Sequence, residues 1–293
     1  MRDFVPFRRI LVPIDLSERS AGAVRYARTI GEHFRSELTL LHVLHPLNFG
    51  YSAIPPRAEA IKQLMEHHAS DVDSALNRLI ANELSGLHVQ TVIEEGDPAD
   101  RIVQYAHSNS MDLIVLPTQG TRPIRQFILG SVTSKVLHDS DCPVWTGVHL
   151  EQDPRVRDFE LRTIICAVDL GPQSCRLLQW TGALARDVGA RVIIVHGIAT
   201  TASYAKDFFD PNWRTLLSER VRQELAALQK RAGVDGEVII EEGDPHKVIG
   251  AIAERSGADL VTICRGSTPG VLGRLRANAY AIIRHSPCPV VSV

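Results

Sequence analysis

The chain is written twice, and that limits its fold more than any other feature. IEEGDP at 93–98 returns as IEEGDP at 240–245, an offset of 147. ILVPIDLS at 10–17 returns as IICAVDLG at 164–171, and LTLLHVL at 38–44 as VIIVHGI at 192–198, both offset by 154. DCPVW at 141–145 returns as PCPVV at 287–291, offset by 146. Four matches in one order mean two homologous halves, and so long a period describes two domains rather than a solenoid. The expected boundaries are a domain at 1–149, a linker at 150–160 and a second domain at 161–293. The linker reading rests on LEQDPRVRDFE, which is charged and contains a proline.

Within the first half, short apolar runs alternate with helical periods. RRILVPID, ELTLLHVL, HVQTVIEEG, DLIVL and CPVWTGV read as strands. Between them, SERSAGAVRYARTIGEHF, AIKQLMEHHASDVDSALNRLIANEL, DPADRIVQYAHSNS and IRQFILGSVTSKVLHDS read as helices, with Ser17 and Asp97 as N-cap candidates and Pro98 at a first helical position. Strands this uniformly rich in Val, Ile and Leu are buried on both faces. The expected fold is α/β, with each half an open five-stranded parallel sheet covered by helices on both sides. In such sheets a ligand sits at the carboxyl ends of the strands, where the strand order reverses.

Composition narrows the function. Net charge is -2, which offers no general attraction to nucleic acid or anionic lipid, so neither is an expected partner. No apolar run approaches the roughly 20 residues a membrane span requires, and the start, MRDFVPFRRILVPID, lacks the apolar core of a signal peptide. Cytoplasmic residence is expected. The cysteines at 142, 166, 175, 264 and 288 include no CxxC pair and no zinc-ligand spacing, so reduced, structural thiols are expected.

The stretch with most chemical content is PTQGTRPIRQFILGS, 117–131, directly after the strand DLIVL. Gly120 lets backbone approach a ligand without a Cβ in the way. Gly130 and Ser131 fall at a helix start, where unpaired N–H groups and the helix dipole favour an anion. Taken together this is a phosphate cradle made mostly of backbone. The same glycines also fit a plain turn followed by close helix packing.

These blocks together resemble a tandem universal stress protein, and the likeness covers nearly the whole chain. The family pattern is G-x-x-G, nine residues, then G-S or G-T after the fourth strand, with an aspartate ending the first strand and LHV in the second. Here the aspartate is Asp15, and LHV is Leu41, His42 and Val43. The resemblance implies an adenine-nucleotide-binding, Rossmann-like fold with ATP or AMP as ligand and magnesium as a candidate companion. It implies that Pro13, Asp15 and Val43 line the adenine and ribose part. Leu116, Gly120, Gly130, Ser131 and Val132 would line the ribose and phosphate part; Pro117 and Arg122, in the same stretch, are counted with them as nucleotide-binding candidates. Two departures stand out. Pro117 replaces the family's first glycine and removes an N–H. The second half has Arg276 and Ala277 where the first has Gly130 and Ser131, so its site is expected to be degenerate, with Arg276 a candidate plug beside Asp169 and Gly266.

Other chemistry fits less well. No GxxxxGK[ST] string occurs, and the cradle's cations, Arg122 and Arg125, do not occupy a P-loop lysine's place. Asp15 has two ligand roles open to it, magnesium through water or sugar hydroxyls, besides plain capping of the next helix. His42 and His196 in matching strands read as satisfied structural residues, and His67 and His68 as solvated. His138, Asp139 and Asp141 form a weak metal candidate, and no metal site or catalytic residue is assigned. GDP at 96–98 and 243–245 reads as a glycine turn, an Asp N-cap and a first-turn proline. The leading expectation is a nucleotide-binding stress-response regulator; a slow ATPase using the same site and a nucleotide-free interaction module are the alternatives. The closing strands CPVWTGV and CPVVSV are expected to pair or pack across a pseudo-two-fold between the halves. Whether chains also form a homodimer is left open.

Overall fold

The computed structural model describes residues 7–44, 58–118, 129–147, 159–198, 211–265 and 277–293. The chain divides into two compact units, one built around Val5–Val144 and the other around Glu160–Val293. In the first half β1 (Arg9–Ile14), α1 (Glu18–Phe34), β2 (Glu37–Leu44), α2 (Ala58–Glu83), β3 (Val89–Glu95), α3 (Pro98–Ser108), β4 (Leu113–Val115), α4 (Ser131–Asp139) and β5 (Val144–Thr146) follow in turn. The second half repeats them as β6 (Thr163–Ala167), α5 (Ser174–Val188), β7 (Arg191–Ile198), α6 (Pro211–Ala232) and β8 (Glu237–Glu242). It closes with α7 (Pro245–Ser256), β9 (Leu260–Ile263), α8 (Ala277–His285) and β10 (Val290–Ser292).

Strand order is β3-β2-β1-β4-β5 in the first half and β8-β7-β6-β9-β10 in the second. The pairs around each central strand, β1 with β2 and β4 and β6 with β7 and β9, are parallel. Chain order therefore reverses between β1 and β4, and again between β6 and β9, which marks the ligand crevice in this class of sheet. The core lies where the apolar runs predict it. Ile10, Leu11 and Val12 of β1 are fully buried, and α1 presents Ala23, Val24, Ala27 and Ile30 at helical spacing. At the linker's end, Phe159 packs edge-on against Phe34, which also meets Phe7.

Local signals explain the element boundaries. Ser17 caps α1 by accepting from Ser20 N, and Asp97 caps α3 by accepting from Asp100 N at 3.1 Å. The repeated EEGDP places Gly96 at φ 138° and Gly243 at φ 149°, where only glycine is comfortable, immediately before the capping aspartates. One boundary differs from expectation. The fourth helix was expected from Ile124 but starts at Ser131, because Gly130 is its extended N-cap, at φ -60° and ψ 148°.

The two central strands leave the sheet through the same turn. Leu16 and Leu170 follow the strand-end aspartates with φ of 58° and 56°, a left-handed conformation costing a non-glycine residue about 1 kcal/mol. Asp15 Oδ1 accepts from Ser17 N at 3.0 Å, and Asp169 Oδ1 from Gly171 N at 2.8 Å. A histidine in the neighbouring strand completes the hold: His42 Nδ1 donates to Ile14 O at 2.8 Å and His196 Nδ1 to Val168 O at 2.7 Å. A carbonyl only accepts, so each ring carries its proton on Nδ1.

Burial holds the His42 pKa below its ordinary value of 6.5, with its bond to Ile14 and the nearby Asp15 charge opposing and His68 adding to the shift. On acidification the unfolded chain therefore takes up this proton first. The stabilisation from neutral His42 is complete above 6.5 and is lost as pH falls from there towards the lowered folded value. His42→Asn keeps a donor at the same place without titrating. Urea midpoints at pH values above and below this window should show a smaller acid loss in the variant than in the wild type; equal losses would refute the role.

Candidate functional site

The sheet register brings the candidate residues to one edge. Pro13 lies opposite Leu41 and Ile14 opposite His42, while Ile10 and Leu11 pair with Leu113 and Ile114. Asp15 and Pro117 thus leave the sheet at its carboxyl end, around the crossover between β1 and β4, while Val43 stands in β2 one residue past the end of the β1 ladder. Pro13, Leu116 and Pro117 are buried, Val43 is half-buried and Asp15 is exposed. The two recorded bonds to Asp15 come from Ser17, N and Oγ, and both fall on Oδ1. No described residue donates to Oδ2, which leaves a carboxylate oxygen for a hydroxyl or a hydrated cation. Asp15 therefore does not cap α1 itself; it orients the serine that does.

The second component is the start of α4. Gly120 and Arg122, with Arg125, lie outside the described residues, as do Gly266 and Arg276 of the second half. The ends of the intervening loop are described, and two hydrogen bonds cinch them. Gly130 N donates to Thr118 O at 2.8 Å, and Thr133 Oγ1 to Pro117 O at 3.0 Å. The Gly130 N–H expected for an anion is thus already engaged. The first helical bond runs from Ser134 N to Gly130 O, and no side chain caps the helix. No described group accepts from the N–H of Ser131, Val132 or Thr133. These three donors, at the positive end of a helix dipole and beside the exposed Ser131, can meet an anion.

The same ground in the second half is occupied. There the central ladder runs over four pairs, from Ile164↔Leu260 to Ala167↔Ile263, whereas β1 and β4 share two. Pro13 stands at the position of Ala167 and has no N–H with which to continue the ladder. Register places Cys264 at the position of Pro117, and its Sγ donates to Asp169 Oδ1 at 3.5 Å. That oxygen also accepts from Gly171 N and Ser174 Oγ. At the position of Thr118 stands Arg265, 5% exposed, and at that of Thr133 stands Ala279, which has no hydroxyl. The register also aligns Gly266 with Gln119 rather than Gly120.

Thr118 and Thr133 are the site residues that sequence reasoning missed. The signal available was the difference between halves, threonine against arginine and threonine against alanine, at positions flanking the motif. Other flagged residues fall into structural roles. His138 pairs with its neighbour Asp139, and His107 with Asp141 at 3.2 Å. Among the described residues no three His, Cys, Asp or Glu gather as a metal site. Burial pushes the Cys166 thiol up to about 11 and the Cys288 thiol up to about 12, so both stay protonated. Lys135 of α4 reaches Asp100 at 2.6 Å and Asp97 at 3.3 Å, tying the helix to the start of α3. Asp97 is held below the ordinary carboxylate value, first by the Asp100 N–H and then by Lys135. No described helix is long and apolar enough to cross a membrane.

The buried Thr133 bond gives a direct test of the loop neck. Thr133→Val keeps the shape, removes the donor and leaves the Pro117 carbonyl unsatisfied, which should cost about 1–3 kcal/mol in denaturant melts. An unchanged midpoint would show that the neck does not depend on it.

The universal stress protein family profile matches the chain twice, over residues 6–146 and 160–293. A universal stress protein of Methanocaldococcus jannaschii is 28% identical over 138 residues, spanning 47% of this chain and 80% of that protein. The crystal structure of a universal stress protein from Archaeoglobus fulgidus aligns with a TM-score of 0.70 at 23% identity, covering 100% of this chain and 98% of that one. A further universal stress protein, aligned at 19% identity over 46% of this chain and 97% of its own with a TM-score of 0.35, was solved in complex with cyclic AMP. With both halves matched by one profile, the chain belongs to the universal stress protein family as a tandem of two such domains.

Proposed function

We propose that this chain is a regulatory nucleotide-binding protein whose first half holds one adenine nucleotide, ATP or AMP, and whose second half holds none. The observation that carries the reading is the uncapped start of α4. Three N–H donors without described acceptors stand at the strand crossover in the first half. The open oxygen of Asp15 lies at the same edge, and in the second half a lengthened ladder, Cys264 and Arg265 take the matching positions. Phosphates would sit against Ser131 and Val132, with Gly120 and Arg122 as further contacts. Pro13, Asp15, Val43, Leu116 and Pro117 would contact the base and ribose. Magnesium, where present, would arrive with the phosphates and meet Asp15 through water.

Titration calorimetry with ATP and with AMP should give one site per chain for at least one of them. Gly130→Arg copies the second half. Gly130 has ordinary extended angles, so an arginine fits there without backbone strain. The variant should keep its thermal midpoint and lose nucleotide binding by more than about tenfold, the equivalent of about 1.4 kcal/mol. Undiminished binding would remove the assignment, and a wild type that binds neither nucleotide would leave an interaction module as the better account.

A further inference from the structure

The amino ends of the strands hold a second difference between the halves. Arg191 opens β7 opposite Thr163 of β6. Its Nε donates to Thr163 Oγ1 at 2.9 Å and its Nη2 to the carbonyl of Ser256 at 3.2 Å. Ser256 ends α7, and orphan carbonyls with the negative end of a helix dipole favour a cation there. A guanidinium suits the place because its planar fork reaches two acceptors at once.

In the first half the matching strand pair is Arg9 and Glu37, and Asn109 matches Ser256. The residue corresponding to Arg191 is therefore of opposite charge. Where the second half has its arginine, the first has a cavity of about 340 Å³. Arg9, Glu37, Tyr105 and Asn109 line it, over the buried Thr39 and Met111. Asn109 turns both its N and its Nδ2 back to Tyr105 O, and no described residue donates to its own carbonyl.

We infer that this cavity binds a small guanidinium-bearing molecule of amino-acid size. The second half shows which group satisfies a strand start and helix end of this shape. Exchanging that arginine for Glu37 removes the built-in cation and supplies a carboxylate for an external one. The ligand's head lies between Glu37 and the Asn109 carbonyl, the place that Arg191 fills in the other copy. Arg9, which stands at the position of Thr163, offers a partner to a ligand carboxylate and selects a zwitterion over a bare cation. The volume is at the low end of small-molecule sites, and the charged walls are exposed, so binding is weak and falls with added salt. This site lies at the opposite end of the sheet from the crossover and does not depend on nucleotide binding there.

The test is a titration of the full chain with L-arginine at low ionic strength, followed by backbone amide shifts. Saturable shifts confined to residues around 37, 88 and 105–111 are expected. Glu37→Gln should weaken binding about fivefold. Glu37→Arg recreates the arrangement of the second half; it should abolish binding, keep or raise the thermal midpoint, and leave the response to ATP as in wild type. No saturation of the wild type into the millimolar range would overturn the inference, as would equal affinity in the two Glu37 variants and wild type. Glu37→Gln decides the matter if Glu37→Arg does not fold.

Discussion

The carbonyl that ends each central strand is held by a histidine from the strand beside it, and the carboxyl edge of each half depends on that hold. A central strand must stop, turn and enter a helix, yet its last backbone groups lie too deep to be left to solvent. The ladder from β1 to β2 ends at Ile14 and His42, and the imidazole adds one more bond in the direction of the ladder. The next residue is the aspartate, and the one after it takes a left-handed conformation that a leucine adopts only at a cost. With the carbonyl fixed on one side and the aspartate bonded ahead on the other, the turn has little freedom. The same three devices recur in both halves. The hold is thus a property of the fold, common to both copies.

What separates the two copies is how far the crevice has been filled from inside. A proline in β1 stops the ladder to β4 early, while alanine at the same register in β6 lets β9 pair to its end. Each added pair draws the strands together where a ligand would enter. Cys264 then bonds the strand-end carboxylate, and a buried arginine stands where the first half has a threonine. These changes leave the apolar centre of each strand alike, Ile10 to Val12 in β1 and Ile164 to Cys166 in β6, all fully buried. In the second half the strand-end carboxylate thus has internal partners, Gly171 N, Ser174 Oγ and Cys264 Sγ, where Asp15 of the first half has Ser17.

Much of this was legible in the sequence. β2 was read as ELTLLHVL and spans Glu37–Leu44, and α1 was read from Ser17 and begins one residue later, at Glu18, because apolar spacing and capping residues are local signals. Asp15, Val43, Leu116, Ser131 and Val132 were named from the family resemblance; the register brings their strands to one edge, and the bond from Gly130 N to Thr118 O ties the start of α4 to the end of β4. The start of α4 was misread because the apolar run at 124–129 continues the helical period in the sequence, whereas Gly130, with extended angles, is the N-cap. The bonds Thr133 to Pro117 and Cys264 to Asp169 could not be read at all. Each joins residues whose distance is set by strand register and helix placement together, which no periodicity reports. His42 and His196 were read as structural from their apolar neighbours, and the carbonyl each one holds gives the reason.

The two ends of the sheet follow one logic. In the second half, arginines stand at both: Arg265 at the carboxyl end and Arg191 at the amino end. A guanidinium is suited to such places because its five donors meet carbonyls and hydroxyls that would otherwise need water. In the first half those positions carry threonine and glutamate, neither of which can do the same work. Thr118 is too short to fill the volume of an arginine, and Glu37 repels the carbonyls that Arg191 attracts. The first half therefore keeps N–H donors without a described acceptor at one end and a carbonyl without a described donor at the other, at the exposed Ser131 and Asn109. The difference between the copies at each end is the physical ground for the two proposals: an anion where N–H groups are left over, and a cation where a carbonyl and a carboxylate are.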